Sequence, residues 1–208
     1  MPPVLPLDMA TTDGPTSSTD ELTLSQSQLD AVLGFLGYGN PAGPYWFVGI
    51  EVRGVGDDAT LWRELLVRAD HFAPIEDLKR AHEHQAFESN DFAVGQYVPT
   101  WLTMSKIVLR LNGDPDWSDY GRARRYQGER LGRDGGETFL ADVLPLPAGH
   151  VDHWPYPRLF PTKAIYRDKV LPGRVTARRQ LVDQHRPATV FCYGTSYWDQ
   201  YRQISRHP

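Results

Sequence analysis

The residues best placed for chemistry lie in Tyr45-Trp46-Phe47-Val48-Gly49-Ile50-Glu51-Val52-Arg53-Gly54, an apolar run that ends in a carboxylate bracketed by glycines. Such a run reads as a buried strand. Gly49 and Gly54 let the backbone turn sharply and lie close to a ligand. In open α/β sheets ligands bind beyond the carboxyl ends of the strands. Glu51 is therefore the leading candidate for a general base or an electrostatic stabiliser. Spacing alone leaves a solvated loop glutamate as an equal alternative.

Other constellations are weaker. His150-Val151-Asp152-His153 carries two imidazoles in a loop, short of the three or four converging ligands that zinc requires. Neither a metal nor a cofactor is expected. Gly49, Gly54 and Gly56 do not have dinucleotide-fingerprint spacing. Gly194-Thr195-Ser196 is not a nucleophile elbow. Cys192, the one cysteine, cannot form an internal disulfide, and a reduced cytoplasmic protein is the simplest account.

A chain of 208 residues, 40% hydrophobic and 12% aromatic, has the length and apolar content for one packed core. No apolar stretch reaches the roughly 18 residues that span a bilayer. The N-terminus lacks the basic flank and apolar core of a secretory signal, so no membrane partner is expected. Charge is divided along the chain. Gly121–Pro208 holds 15 Lys and Arg against 8 Asp and Glu, a balance of +7; Met1–Tyr120 holds the remaining 7 against 18, a balance of −11. The basic half could present a local phosphate-binding face, or its arginines could be ordinary solvated helix faces.

Residues 1–23, rich in Pro, Ser, Thr and Asp, are expected to be a disordered tail, because they bury too little surface to offset their ordering entropy. Residues 24–208 then form a single α/β domain. Leu29, Val32, Leu33 and Leu36 predict a helix over 25–36. A strand over 45–50 follows. Asp57 or Asp58 caps a helix to about residue 69. A short charged helix spans 75–83, and Pro99 opens one that ends near Leu111. A basic helix covers 120–131. Thr138–Leu144 reads as a second strand, broken by Pro145-Leu146-Pro147. A loop rich in proline and aromatics leads to a helix over 174–185. Thr189–Tyr193 is a third strand, and a last helix runs over 196–204. Strands separated by helices predict a small parallel sheet in a three-layer α/β/α sandwich. Three strands make a narrow sheet, so an incomplete domain is expected.

Four segments in this order resemble the uracil-DNA glycosylase superfamily. Gly49-Ile50-Glu51-Val52-Arg53-Gly54 is similar to the first motif, which follows the first strand and carries the residue that activates or orients water. Phe139-Leu140-Ala141-Asp142-Val143-Leu144-Pro145-Leu146-Pro147 looks like the second-strand segment that reads the base. Arg186-Pro187-Ala188-Thr189-Val190-Phe191-Cys192-Tyr193-Gly194 resembles the entry into the third strand, and Tyr197-Trp198-Asp199-Gln200-Tyr201 the aromatic helix after it. The resemblance implies a glycosylase-like fold, complete or truncated, DNA as partner and a monomer. It also implies hydrolysis of the N-glycosidic bond of uracil or another deaminated base after base flipping. It makes Glu51 the catalytic carboxylate and Asp142 the base reader, with Gly49, Ile50, Arg53 and Gly54 around the ligand and Phe92 or Tyr97 stacking on the base. Backbone N–H groups of residues 53–56 would face a phosphate.

Two departures stand against this reading. Asp142 occupies the position of a base-reading asparagine, and an ionised carboxylate only accepts hydrogen bonds. It could equally be a strand-end cap. The family's second catalytic loop follows a fourth strand, and here only His207-Pro208 lies beyond the last helix. The alternatives are a non-catalytic nucleic-acid-binding remnant of the same fold and a small-molecule or nucleotide hydrolase using Glu51.

Overall fold

The computed structural model describes residues 22–54, 56–84, 98–150, 152–194 and 197–205. Their elements run α1 (Gln26–Gly34), β1 (Gly37–Gly39), β2 (Tyr45–Arg53), α2 (Asp58–His71), β3 (Ile75–Glu76), α3 (Leu78–His84), α4 (Pro99–Leu111), α5 (Tyr120–Glu129), β4 (Thr138–Ala148), α6 (Lys163–His185), β5 (Thr189–Cys192) and α7 (Trp198–Ile204). The architecture is an α/β sandwich. Most of the expected tail lies outside the described residues; Leu22, at its end, packs against the core.

Five strands form one sheet in the order β3-β1-β4-β2-β5. The three strands read from the sequence are its parallel part: β2 lies between β4 and β5 and pairs with both in parallel. The sheet is not wholly parallel, because β1 joins β4 antiparallel. Gly37-Tyr38-Gly39 looks like a helix stop followed by a turn, yet it is this strand. The glycines are required there. Gly39 sits at φ +93°, and a Cβ on it would come within 2.4 Å of the Thr138 carbonyl; only glycine adopts that backbone freely.

Alternation along β2 sends side chains to two cores, one on each face. Trp46 and Val48 enter the cluster made with α1, α2, α6 and α7. Phe47 enters the cluster made with α3, α4 and α5. Trp46 has no exposed surface, lies 4.8 Å from the Phe139 ring and donates its indole N–H to the Pro41 carbonyl. Among the described residues no helix is long and apolar enough to cross a membrane.

Two sequence expectations fail around β4. Pro145 and Pro147 do not end the strand, which runs on to Ala148. β1 pairs only with Phe139 and Leu140, so one side of β4 has no neighbouring strand beyond that point, and prolines are tolerated on such an open side. The register with β2 shifts between Glu51 and Arg53. The helix expected over 174–185 begins instead at Lys163 and contains Pro172. Thr162 caps it, its hydroxyl accepting from the Ile165 N–H.

α6 also supplies what β4 lacks. Arg174 donates to the carbonyls of Val143, Asp142 and Leu33, tying α6 to β4 and α1. Arg178 is fully buried but donates only to the Asp142 carbonyl, and its Nε and Nη1 have no partner among the described residues. Unmet buried carbonyls are costly, whereas a buried charge with few partners adds little net stability. Arg174→Met should therefore cost about 2–4 kcal/mol in urea denaturation, and Arg178→Met less than about 1 kcal/mol. Equal losses would contradict this division of labour.

Candidate active site

Glu51 stands at the carboxyl end of β2, opposite Leu144. It is not a solvated loop glutamate, since its side chain is only 15% exposed. Lys163 Nζ donates to Oε2 at 2.7 Å, from a side chain that is itself 16% exposed. Oε1 is buried without a hydrogen-bond partner among the described residues. Lys163 is the first residue of α6, and a cation at a helix N-terminus is opposed by the helix dipole. The ion pair with Glu51 offsets that cost. Burial raises the Glu51 pKa above the ordinary glutamate range, against the opposing effects of the Lys163 hydrogen bond and charge and of Arg167.

Around this pair lie aromatic rings. Tyr156 donates its hydroxyl to the Pro147 carbonyl at 2.8 Å, and the Tyr166 hydroxyl accepts from the Leu146 N–H at 3.0 Å. Both are fully buried, so they fix the end of β4 and exclude water beneath the carboxylate. Arg167, one turn beyond Lys163, places its guanidinium 5.0 Å from the centroid of the Tyr197 ring.

The second carboxylate, Asp142, lies opposite Gly49 in the β2–β4 register. A Cβ on Gly49 would stand 2.2 Å from Asp142 Oδ1 and 2.5 Å from Tyr193 Oη. Gly49 is needed because those two side chains occupy the space above it. The Asp142 carboxylate does not cap a backbone N–H, and it makes no hydrogen bond to a described residue. Burial pushes its pKa up to about 6; the charges of Arg178, Arg68 and Arg174 oppose that rise, and Glu51 adds to it. At neutral pH it is a half-buried, largely ionised acceptor.

The remaining predicted residues divide. Arg53 is exposed at the end of β2. Ile50 packs against the core and against Gly194. Gly54 packs closely against α2, where a Cβ would meet Leu61 at 2.2 Å. Phe92 and Tyr97 lie outside the described residues. The proposed phosphate seat before α2 is taken by acids: Asp57 caps the helix through the Thr60 N–H, and Asp58 follows. His153 donates from Nε2 to Asp58 at 2.7 Å while its Nδ1 accepts from the Gly149 N–H. The arginines of α5 do not share a face with those of α6. Arg174 and Arg178 are buried under β4, whereas Arg122, Arg124 and Arg125 belong to α5 across the sheet.

Sequence reasoning missed Lys163, Arg167, Tyr193 and Tyr197. For the first two a signal existed: Thr162 as a cap, followed by Tyr166 and Val170 at helical spacing. No family model matches the chain, and neither a curated protein nor a solved structure matches it.

The raised Asp142 pKa has a thermodynamic consequence. Between roughly pH 4 and 6 the folded chain holds a proton that the unfolded chain has released, so this group's contribution to stability falls as pH rises through that window. The residue is partly open to solvent, which limits the effect to about 1–2 kcal/mol. Urea titrations at pH 4 and pH 6.5 should show this slope in the parent chain and a shallower one in Asp142→Asn. An unchanged slope would mean that Asp142 titrates normally.

Proposed function

We propose that the site formed by Glu51 of β2 and Asp142 of β4 hydrolyses the N-glycosidic bond of uracil or another deaminated base in DNA, acting on a base flipped out of the duplex. The observation that carries this reading is the Glu51 carboxylate: buried at a strand end, held through Oε2 by Lys163, with Oε1 left unpartnered. Breaking a glycosidic bond develops positive charge on the sugar and requires a deprotonated water. A desolvated carboxylate with a free oxygen stabilises that charge or accepts that proton. Its raised pKa suits a general base working near neutrality.

Asp142 fits the role of base reader. As an acceptor it takes an N–H from the edge of the base, such as the imino hydrogen of a deaminated base. Arg53, exposed at the same strand end, supplies positive charge for a phosphate. The chain acts in this reading as a monomer without a metal or cofactor.

One observation favours a second reading. The ion pair with Lys163 already compensates the Glu51 charge, as it would in a DNA-binding module of this fold that has no chemistry.

Release of free base from uracil-containing oligonucleotides, single- and double-stranded, tests the proposal. Glu51→Gln should lower release by about 10²- to 10⁴-fold, the usual range for a lost acid–base group. Lys163→Met removes the larger of the interactions that hold the Glu51 pKa down, leaving that of Arg167, so the acidic limb of the pH–rate profile should move to higher pH. Salt-sensitive DNA binding without base release would support the binding module. Turnover of a free nucleotide with no action on DNA would support the small-molecule hydrolase.

A further inference from the structure

β5 is the outer strand of the sheet beside β2. Its N–H groups at Thr189 and, just beyond, Tyr193 are spent on β2, donating to the carbonyls of Pro44 and Val48 at 3.0 Å. In a parallel ladder the N–H and C=O of one residue lie on the same side, and successive residues alternate sides. Val190 and Cys192 therefore turn their backbone groups away from β2, where they meet no backbone partner among the described residues. The strand, Thr189-Val190-Phe191-Cys192, carries neither charge nor proline, the usual protection of an exposed edge.

Beside this edge, on the α4 face, lies a groove of about 310 Å³ lined by Ile107, Leu111, Trp117 and Phe191, with Lys106 and Arg110 among its walls. Phe191 stacks on Phe47 at 5.1 Å and forms one side. Leu111 and Trp117 are 48% and 38% exposed. Lys106 and Arg110 make no ion pair with a described residue. α4 contains no acid.

We propose that this edge and groove bind an extended peptide, added to the sheet as a further strand beside β5, whose groove-facing residues, every second position, are apolar and acidic in turn. The peptide backbone pairs with the outward groups of Val190 and Cys192, and alternate side chains reach the groove. Apolar residues cover Phe191 and Trp117, while acids pair with Lys106 and Arg110. The cations argue against a second copy of this chain as the occupant. Antiparallel pairing of two β5 strands about a two-fold axis keeps both α4 helices on the same face and sets like charges beside each other.

The test is fluorescence anisotropy with a labelled, end-capped peptide whose every second residue is Phe or Glu in turn, with Thr between them, and with its Lys-for-Glu counterpart. The acidic peptide should bind saturably and the basic one should not. Affinity should fall with salt. Lys106→Glu/Arg110→Glu should reverse the preference. Cys192→Pro removes one outward N–H while leaving the β2 ladder intact, and should weaken binding by about tenfold or more. Trp117→Asp, at an exposed position, should do the same if the proline variant does not fold. No saturable binding of the acidic peptide, or equal binding of both peptides, overturns the proposal. So does a dimer in sedimentation that Cys192→Pro dissolves, which would assign the edge to a second copy.

Discussion

β4 outlasts its neighbour. Where β1 stops, the carbonyls of Asp142 and Val143 would face a buried gap without partners, and Arg174 and Arg178 of α6 fill it. Unpaired backbone groups in a core are rarely tolerated, so this is a constraint on the whole fold. It fixes the position of α6 against the sheet. Arg174 and Lys163 are separated by about three helical turns, so a helix anchored by the first delivers the second to the rim. Strand pairing, helix placement and the Glu51 ion pair thus form one chain of dependence that starts with two carbonyls.

The same helix explains how the rim holds charges of both signs. Two carboxylates, Glu51 near the end of β2 and Asp142 in the middle of β4, stand on adjacent strands, and burial raises the pKa of each. Each is opposed by cations of α6, Lys163 and Arg167 at one end and Arg178 and Arg174 further along, with Arg68 of α2 also acting on Asp142. Without those cations both would lean toward protonated, neutral acids. With them, chiefly those on one face of α6, two partly desolvated carboxylates stay in use as bases or acceptors.

What the sequence revealed follows from how each element is stabilised. β2 and the first part of β4 are legible because they are buried on both faces and read as continuous apolar runs. Glu51 is legible because it interrupts such a run between glycines. β1 and β3 span only three and two residues and are held by the strands beside them, so no local pattern announces them. Lys163 was hidden by Pro161, Pro172 and Gly173, which together read as loop; the cap at Thr162 and the arginine clamp override them. The prolines of β4 mislead for the converse reason: proline excludes a strand from a ladder only where the missing N–H is needed. Whether Asp142 caps a backbone group or faces open space depends on Gly49 and Tyr193, which meet it only in the fold.

Pro172 lies within α6, between Lys163 and Arg174. Lacking an N–H, it cannot complete the hydrogen bond to the carbonyl one turn earlier, so the two parts of the helix are joined by one bond fewer than an uninterrupted helix would have. The part beyond the proline is riveted to the sheet by two arginines, and the part before it by the buried Tyr166 hydroxyl and the Lys163 ammonium. Each part therefore carries its own anchor to the sheet, and the missing bond at the proline leaves both in place.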